Sequence, residues 1–330
     1  MLPEGRSYEL SKELLREAVD IHVHAGPHLT SSPRRLDPVQ AAIGARDAGM
    51  QAIVFMDVFE MSNGTSWLVN RVVPDFRTFG GIILNTVHGG MNPRAVKTAL
   101  SYGDGAKYVS FGAHSTFFQA SREGRNIGGK FVPLSQIYPE FRTEELERCI
   151  RIPLDQEPDR NLDEILTLLA AHPSVYMITG HVSVPEAIRL LELAREYGIQ
   201  RSVVSSAVTK IASLEQLNCM SQLGAYIEFT LASHTHTTSI PKTHYYVEKE
   251  YASIDEGMSE APGGGMRADA EKMRQLGADH CIIATDFGVY TLPEPVEGLR
   301  EFIACLLDLG FSTSEIRSLS SDNPKNLLGL

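Results

Sequence analysis

Short apolar runs rich in β-branched residues recur along the chain, and amphipathic segments separate them. Eight of these runs predict strands, at residues 19–24, 52–57, 81–87, 107–112, 175–180, 202–207, 225–231 and 281–285. Most are apolar at every position instead of alternating. Continuous apolar runs of this length are typical of strands buried on both faces of a parallel sheet.

The segments between these runs carry apolar residues at three- and four-residue steps, which predicts helices. They lie at residues 11–19, 38–48, 92–102, 162–171, 184–197, 213–223, 267–276, 297–309 and 323–328. The clearest is 184–197, where Ser183 and Glu186 predict a capping box and Gly198 ends the helix. Eight βα units predict an α/β fold, a single (β/α)₈ TIM-type barrel over residues 1–330. An open doubly wound sheet is the alternative, weakened because no G-x-G-x-x-G turn follows a strand.

Two intervals are too long for simple crossovers. Residues 113–160 follow the fourth predicted strand, and residues 232–266 follow the seventh and contain His234, His236 and His244. Both begin at the carboxyl end of a strand, where barrel enzymes build their active sites. Long loops of this kind are usually lids or binding segments. We therefore expect functional loops after strands 4 and 7.

The charge balance narrows the classes of partner. The formal net charge is −11, and 43% of the residues are apolar. An acidic chain without basic runs argues against nucleic-acid or membrane partners and favours a small-molecule substrate. The amino terminus has no apolar signal core, no apolar run is long enough for a membrane span, and the four cysteines are scattered. These features predict a cytoplasmic protein with reduced thiols.

The stretch Asp20-Ile21-His22-Val23-His24 lies on the first predicted strand. Side chains alternate along a strand, so Asp20, His22 and His24 share one face. Two imidazoles two positions apart can converge on one divalent metal. The alternative is a pair of solvent-facing or hydrogen-bonded histidines.

Further polar residues stand at or after the carboxyl ends of other predicted strands, which converge in a barrel. His181 ends the fifth and Asp286 the eighth, so with His22 and His24 they predict a metal site of three nitrogen ligands and one oxygen ligand. The candidates for substrate contact are Arg34, Arg35, His28 and His88, and His114 is a candidate catalytic residue. An arginine there could grip a substrate carboxylate bidentately, although solvated surface arginines are common. His114 is either a substrate contact or a buried hydrogen-bonded residue.

Four motifs in order, DIHVH, ITGH, IIATDFG and the terminal DNPKNLLGL, resemble the amidohydrolase superfamily of metal-dependent hydrolases. The resemblance spans essentially the whole chain and is closest to the DUF6282 branch. It implies that His22, His24 and His181 hold a metal, and that Asp286 contacts it and acts as general base on an activated water. It further implies a homo-oligomer that hydrolyses an amide, cyclic amide or lactone of a small polar molecule, including one with a carboxylate.

The chain departs from the superfamily pattern at two strands. The sixth strand, which normally ends in a histidine, carries Val203-Val204-Ser205-Ser206, and Lys107 stands at the wrong end of the fourth strand to bridge two metals. We therefore expect one divalent ion, most simply zinc, although manganese and iron accept the same ligands. His114 or a histidine of segment 234–244 could replace the missing group. The alternatives are a metal-free barrel that only binds a ligand or partner, and a decarboxylase or C–C hydrolase on the same scaffold.

Overall fold

Parallel strands form the centre of the computed structural model, which describes residues 5–28, 33–137, 146–234 and 265–330. The strands of these residues are β1 (Val19–Val23), β2 (Ala52–Phe55), β3 (Arg77–Phe79), β4 (Gly81–Ile83), β5 (Tyr108–Ser110), β6 (Gly124–Ile127), β7 (Lys130–Pro133), β8 (Tyr176–Ile178), β9 (Ser202–Val204), β10 (Ala225–Thr230) and β11 (Cys281–Ala284).

Helices follow most of the parallel strands. They are α1 (Arg6–Leu15), α2 (Pro38–Asp47), α3 (Ser62–Val72), α4 (Pro93–Ser101), α5 (Phe117–Ala120), α6 (Leu134–Ile137), α7 (Arg160–Ala170), α8 (Val184–Tyr197), α9 (Ser206–Thr209), α10 (Leu214–Gln222), α11 (Gly265–Leu276), α12 (Pro295–Asp308), α13 (Thr313–Arg317) and α14 (Asn323–Leu328). The capping box predicted for Ser183 and Glu186 is present at the start of α8. None of the helices in the described ranges is both long and apolar enough to cross a membrane.

The parallel strands pair in two sheets, ordered β1-β2-β3 and β11-β10-β9-β8-β5-β4. β3 and β4 are one stretch of chain interrupted at Gly80. A side chain at Gly80 would put its Cβ 2.3 Å from the backbone of Ser62, so glycine permits α3 to approach the strand. The predicted strand 81–87 is therefore wrong in its bounds. The chain already pairs from Arg77, pairing stops at Ile83, and Thr86–His88 forms a 3₁₀ turn.

The edges of the two sheets meet where β1 lies beside β11. The backbone N–H of Asp286 donates to the His22 carbonyl oxygen at 2.9 Å, and that of His24 donates to the Phe287 carbonyl oxygen at 2.8 Å. Val23 and Phe287 form a parallel bridge. The first and last strands of the barrel predicted from the sequence are thus neighbours, and their carboxyl ends lie side by side.

Both faces of the strands are buried, as their continuous apolar runs predict. One cluster of apolar side chains joins the strands to the surrounding helices. A second lies on the opposite face and includes Ile21, Val54 and Tyr176, together with Leu327 and Leu328 from the terminal helix. Because the faces are filled by packing, polar side chains at the strand ends stand out as candidates for chemistry.

Several elements were not predicted. Among them are α3, in a segment without a helical pattern, and the antiparallel hairpin β6–β7 inside the interval 113–160. Most of the second long interval lies outside the described residues, and so do His236 and His244.

Candidate metal centre

The candidate site is formed by three side chains where β1 and β11 end. His22 lies on β1, His24 directly follows it, and Asp286 follows β11. One ligand atom from each lies within 4.8 Å of the other two. The sequence prediction that these three residues converge agrees with this arrangement, because parallel neighbours β1 and β11 end at the same edge.

The two histidines are oriented by hydrogen bonds on the far side of their rings. His22 Nδ1 donates to Glu228 Oε1 at 2.9 Å, and His24 Nδ1 donates to the Met56 carbonyl oxygen at 2.7 Å. Both Nε2 atoms consequently face Asp286 Oδ1, at 3.4 Å and 3.0 Å. A metal-binding histidine typically has its second nitrogen held by a carboxylate or carbonyl oxygen in this way. The donor set and its orientation therefore suit a divalent cation.

Asp286 has a left-handed backbone, with φ of 55°. Such a conformation is uncommon for a residue other than glycine, and such strain concentrates at functional sites. The hydrogen bond from its N–H to His22 keeps the residue in place. The backbone thus turns at the end of β11 and directs the Asp286 carboxylate towards the two imidazoles.

Glu228 is a residue of the site that our sequence analysis did not identify. It lies on β10 and is 1% exposed. Its Oε1 accepts from His22, and its Oε2 accepts from the backbone N–H of Ser206 at 2.9 Å. The signal was a single carboxylate inside the otherwise apolar strand Ala225–Thr230, since buried carboxylates nearly always have a partner.

Asp20 is a second buried carboxylate beside the cluster. It accepts hydrogen bonds from the Thr285 hydroxyl at 2.5 Å, the Thr285 N–H at 3.2 Å and the His22 N–H at 3.0 Å. Burial raises its pKa to about 6, although these hydrogen bonds act in the opposite direction. Through its bonds to Thr285, Asp20 joins β1 to the end of β11.

Charges set the two histidine pKa values apart. Burial lowers the pKa of His22, but the carboxylates of Asp286 and Glu228 outweigh it and raise the pKa to about 9. Burial, assisted by the charge of Arg34, lowers the pKa of His24 to about 4. The site therefore brings together one imidazole whose pKa is raised and one whose pKa is lowered.

His181 and His114 lie next to each other at the ends of β8 and β5. Their ring centroids are 5.9 Å apart. Burial and the neighbouring His114 lower the pKa of His181 to about 3, and its buried Nδ1 has no hydrogen-bond partner within the described ranges. His114 Nδ1 donates to Glu123 Oε1 at 2.8 Å. Among the described residues, His181 is not in the group whose ligand atoms lie within 4.8 Å, so its predicted role as a ligand stays a prediction.

The four predicted substrate contacts differ in how far their side chains are exposed to solvent. Arg34 is partly buried, whereas Arg35 is exposed and donates to the Tyr290 carbonyl oxygen. The His28 ring lies 5.1 Å from the Phe59 ring, and burial followed by the Arg34 charge lowers the His28 pKa to about 3. His88 lies in the turn after β4, and its Nε2 is buried without a hydrogen bond to the described residues.

A comparison with protein-family models identifies one match, over residues 17–228, to a family of unknown function, DUF6282. The chain belongs to the DUF6282 family. The matched range contains His22, His24, His181 and Glu228, and Asp286 lies beyond it. A search of curated protein sequences finds no match.

Solved structures share the fold at low sequence identity. An amidohydrolase from Pseudomonas aeruginosa is 12% identical with a TM-score of 0.55, and the match covers 98% of each chain. A probable 2-pyrone-4,6-dicarboxylic acid hydrolase from Acinetobacter baumannii, with citric acid bound, is 13% identical with a TM-score of 0.52, over 95% of this chain and all of that one. An organophosphorus hydrolase from Deinococcus radiodurans is 12% identical with a TM-score of 0.50, covering 88% of this chain and 82% of that one. These neighbours show that the DUF6282 chain shares their α/β fold.

Proposed function

We propose that this DUF6282 protein is a hydrolase that uses one divalent metal ion, held by His22, His24 and Asp286. The observation that carries the proposal is the convergence of two oriented Nε2 atoms and a carboxylate within 4.8 Å. Zinc is the simplest occupant, because it accepts nitrogen and oxygen ligands in small, irregular sets. His181, whose buried Nδ1 has no hydrogen-bond partner among the described residues, is the proposed further ligand, and it follows β8.

The proposed architecture is one (β/α)₈ barrel over residues 1–330. The contacts between β1 and β11 support it, because they bring the first and last parallel strands together. The structural neighbours named above support hydrolysis, since each carries an amidohydrolase or hydrolase name although their named substrates differ. In such barrels the scaffold and the strand-end residues are shared, whereas loops set the substrate.

The residues of the chain divide the proposed chemistry between them. A divalent cation, when bound, would supply the Lewis acidity that makes water nucleophilic at neutral pH. Asp286 accepts the proton from the attacking water and returns it to the leaving group. His22 and His24 direct their Nε2 atoms towards Asp286 because their Nδ1 atoms are held by Glu228 and Met56. His114, hydrogen-bonded to Glu123, is placed near His181 as the proposed contact to the substrate.

The proposed substrate is a small polar molecule with an amide, cyclic amide or lactone bond. The net charge of −11 supports a small-molecule partner over a nucleic acid. A decarboxylation or C–C cleavage on the same scaffold is the alternative reaction. We propose a cytoplasmic homo-oligomer, in keeping with the superfamily resemblance.

A barrel that binds a small ligand without hydrolysing it is the rival proposal. One contact favours it: His24 Nε2 lies 3.0 Å from Asp286 Oδ1, so these two atoms already satisfy each other. The two proposals differ in whether the cluster takes up a metal.

Metal content of the purified protein, measured by mass spectrometry without a histidine tag, distinguishes them. We expect about one zinc-type ion per chain, lost in a His22→Ala/His24→Ala variant, as for a three- or four-ligand site. The matched control is His172→Ala/His280→Ala, which removes two histidines that border β8 and β11 at their amino ends. No metal after reconstitution with zinc or manganese, or equal metal in both double variants, would refute the proposal. Two ions per chain would refute the single-metal site.

A further inference from the structure

A guanidinium group stands beside the proposed metal centre without an ionic partner among the residues that the structure describes. Arg34 lies on the segment after β1, and this segment is held against the end of β11. The Arg35 N–H donates to the Gly288 carbonyl oxygen at 2.9 Å, and Arg34 forms an antiparallel bridge with Val289. Arg34 is therefore held opposite Val289, which lies three residues after Asp286. Its position is set by backbone pairing instead of by its own side chain.

The Arg34 side chain is oriented inwards. Its Nε is buried and has no hydrogen-bond partner in the described part of the chain, and burial lowers the pKa of the guanidinium. Its charge lowers the pKa values of both His24 and His28. Arg34 thus acts on residues of the cluster from a partly buried position, whereas Arg35 next to it is exposed and bonds to a backbone carbonyl.

The two carboxylates whose charges act on Arg34 already contact other groups. Asp57 and Asp286 are the groups whose charges favour ionised Arg34. Asp57 Oδ1, however, accepts from the backbone N–H groups of Phe59 and Glu60, at 2.6 Å and 3.1 Å. Asp286 faces His22 and His24. Within the described ranges, no carboxylate oxygen comes within the 4.0 Å of an ion pair with Arg34.

Even a partly buried charge such as that of Arg34 loses hydration, and a ligand of opposite charge would compensate the loss. We infer that Arg34 binds an anionic group of the substrate, a carboxylate, next to the bond that is cleaved. The planar fork of a guanidinium matches the two oxygens of a carboxylate and fixes its orientation. This inference rests on the proposed hydrolase function and narrows its substrate class to carboxylate-bearing amides and lactones. A neutral substrate would leave the Arg34 charge uncompensated.

The test is equilibrium binding of glutarate and of its uncharged diamide, glutaramide, followed by calorimetry at low ionic strength. The chelator-treated protein is used beside the zinc-loaded protein, so that a carboxylate contact to the metal is separated from a contact to Arg34. We expect glutarate to bind more tightly than glutaramide in both forms. Arg34→Gln should weaken glutarate by about tenfold or more, the loss of one charge-assisted pair, and leave glutaramide unchanged.

Two further variants keep the test interpretable. Arg46→Gln is the matched control, since Arg46 lies on α2 and pairs with Asp47, and it should bind glutarate as the wild type does. Arg34→Lys keeps the charge without the fork and should bind glutarate with intermediate affinity, which also covers a folding defect in Arg34→Gln. Equal affinity for glutarate and glutaramide, or a loss in Arg35→Gln instead of Arg34→Gln, would overturn the inference. Failure of the proposed function would show separately, as absent metal with Arg34-dependent glutarate binding intact.

Discussion

Replacing Glu228 by glutamine tests whether a buried carboxylate sets the geometry of the proposed metal ligand His22. Glutamine has nearly the same shape as glutamate, but it carries one acceptor oxygen and one NH₂ donor. Both oxygens of Glu228 accept hydrogen bonds, from His22 Nδ1 and from the Ser206 N–H, each at 2.9 Å. Glutamine can satisfy only one of these two donors.

Either orientation of the amide carries a cost. If the oxygen faces His22, the NH₂ group opposes the Ser206 N–H and a buried donor is left unsatisfied. If the NH₂ group faces His22, Nδ1 must accept, so the ring proton moves to Nε2, the atom that faces Asp286. The first arrangement lowers the free energy of unfolding, and the second blocks the nitrogen that would bind the metal.

The magnitude follows from the kind of bond that is lost. A hydrogen bond to a charged group contributes about 1.5–3 kcal/mol. Since about 1.4 kcal/mol corresponds to a factor of ten in affinity, we expect the Glu228→Gln variant to bind Zn²⁺ about 10- to 100-fold more weakly. The Glu228 side chain is 2% exposed, so solvent should not replace this bond.

The assay is competition for Zn²⁺ between the apoprotein and a chromogenic chelator, with urea unfolding measured in parallel. Glu186→Gln is the matched control. Glu186 also accepts from two backbone N–H groups, those of Ser183 at 2.9 Å and Ile152 at 3.0 Å, but it touches none of the three clustered residues. It should lose stability and keep its zinc affinity. Zinc affinity of a folded Glu228→Gln protein within twofold of wild type would refute the orienting role.

Two more predictions concern packing and reactivity. Gly180→Ala should lower the free energy of unfolding by about 1–3 kcal/mol more than Gly198→Ala. Both glycines have φ above 70°, but only a Cβ at position 180 would lie 2.3 Å from a carbonyl oxygen, that of Gly112. Equal losses in urea unfolding would contradict this. Burial raises the pKa of the Cys281 thiol to about 12, whereas Cys219 is exposed. At pH 8 a thiol reagent should therefore label Cys219 in the native protein and Cys281 only after unfolding. Labelling of Cys281 in the native protein, detected by mass spectrometry, would contradict the packing of β11.

The convergence of His22, His24 and Asp286 could be predicted because it follows from period and order alone. The two histidines share a strand face at a spacing of two, and the aspartate ends the last apolar run. Parallel strands place such ends at one edge. Once the first and last strands are recognised as neighbours, no detailed knowledge of side-chain packing is needed to bring these residues together.

The contact between Glu228 and His22 could not be read from spacing. Its partners are 206 positions apart, and no local pattern states which strand end reaches which ring. The carboxylate was visible as an exception inside an apolar strand, but its partner is decided by the pairing of β10 with β9 and β11. Contacts of this kind depend on tertiary structure.

Helix α3 was missed for a different reason. Its sequence, SNGTSWLVNRV, combines serine, asparagine, glycine and β-branched residues, which favour turns or strands over helix. Its buried polar side chains instead donate tertiary hydrogen bonds. Ser62 Oγ donates to the Phe55 carbonyl oxygen, and Asn63 donates to the carbonyl oxygens of Ala99 and Tyr102. Tertiary contacts therefore override the local preference.

The end of β9, where the superfamily normally has a histidine, contributes to the proposed site in another way. Ser206 begins the short helix α9 there, and its N–H binds Glu228, which in turn binds His22. Ser205 meanwhile is tied to β8, since its N–H donates to the Thr179 hydroxyl at 3.0 Å. A strand that offers no ligand can still position one, because Glu228 is bonded both to the Ser206 N–H after β9 and to the His22 ring. In the proposed site, β9 acts on the metal through Glu228, so the missing histidine does not by itself argue for a barrel without metal.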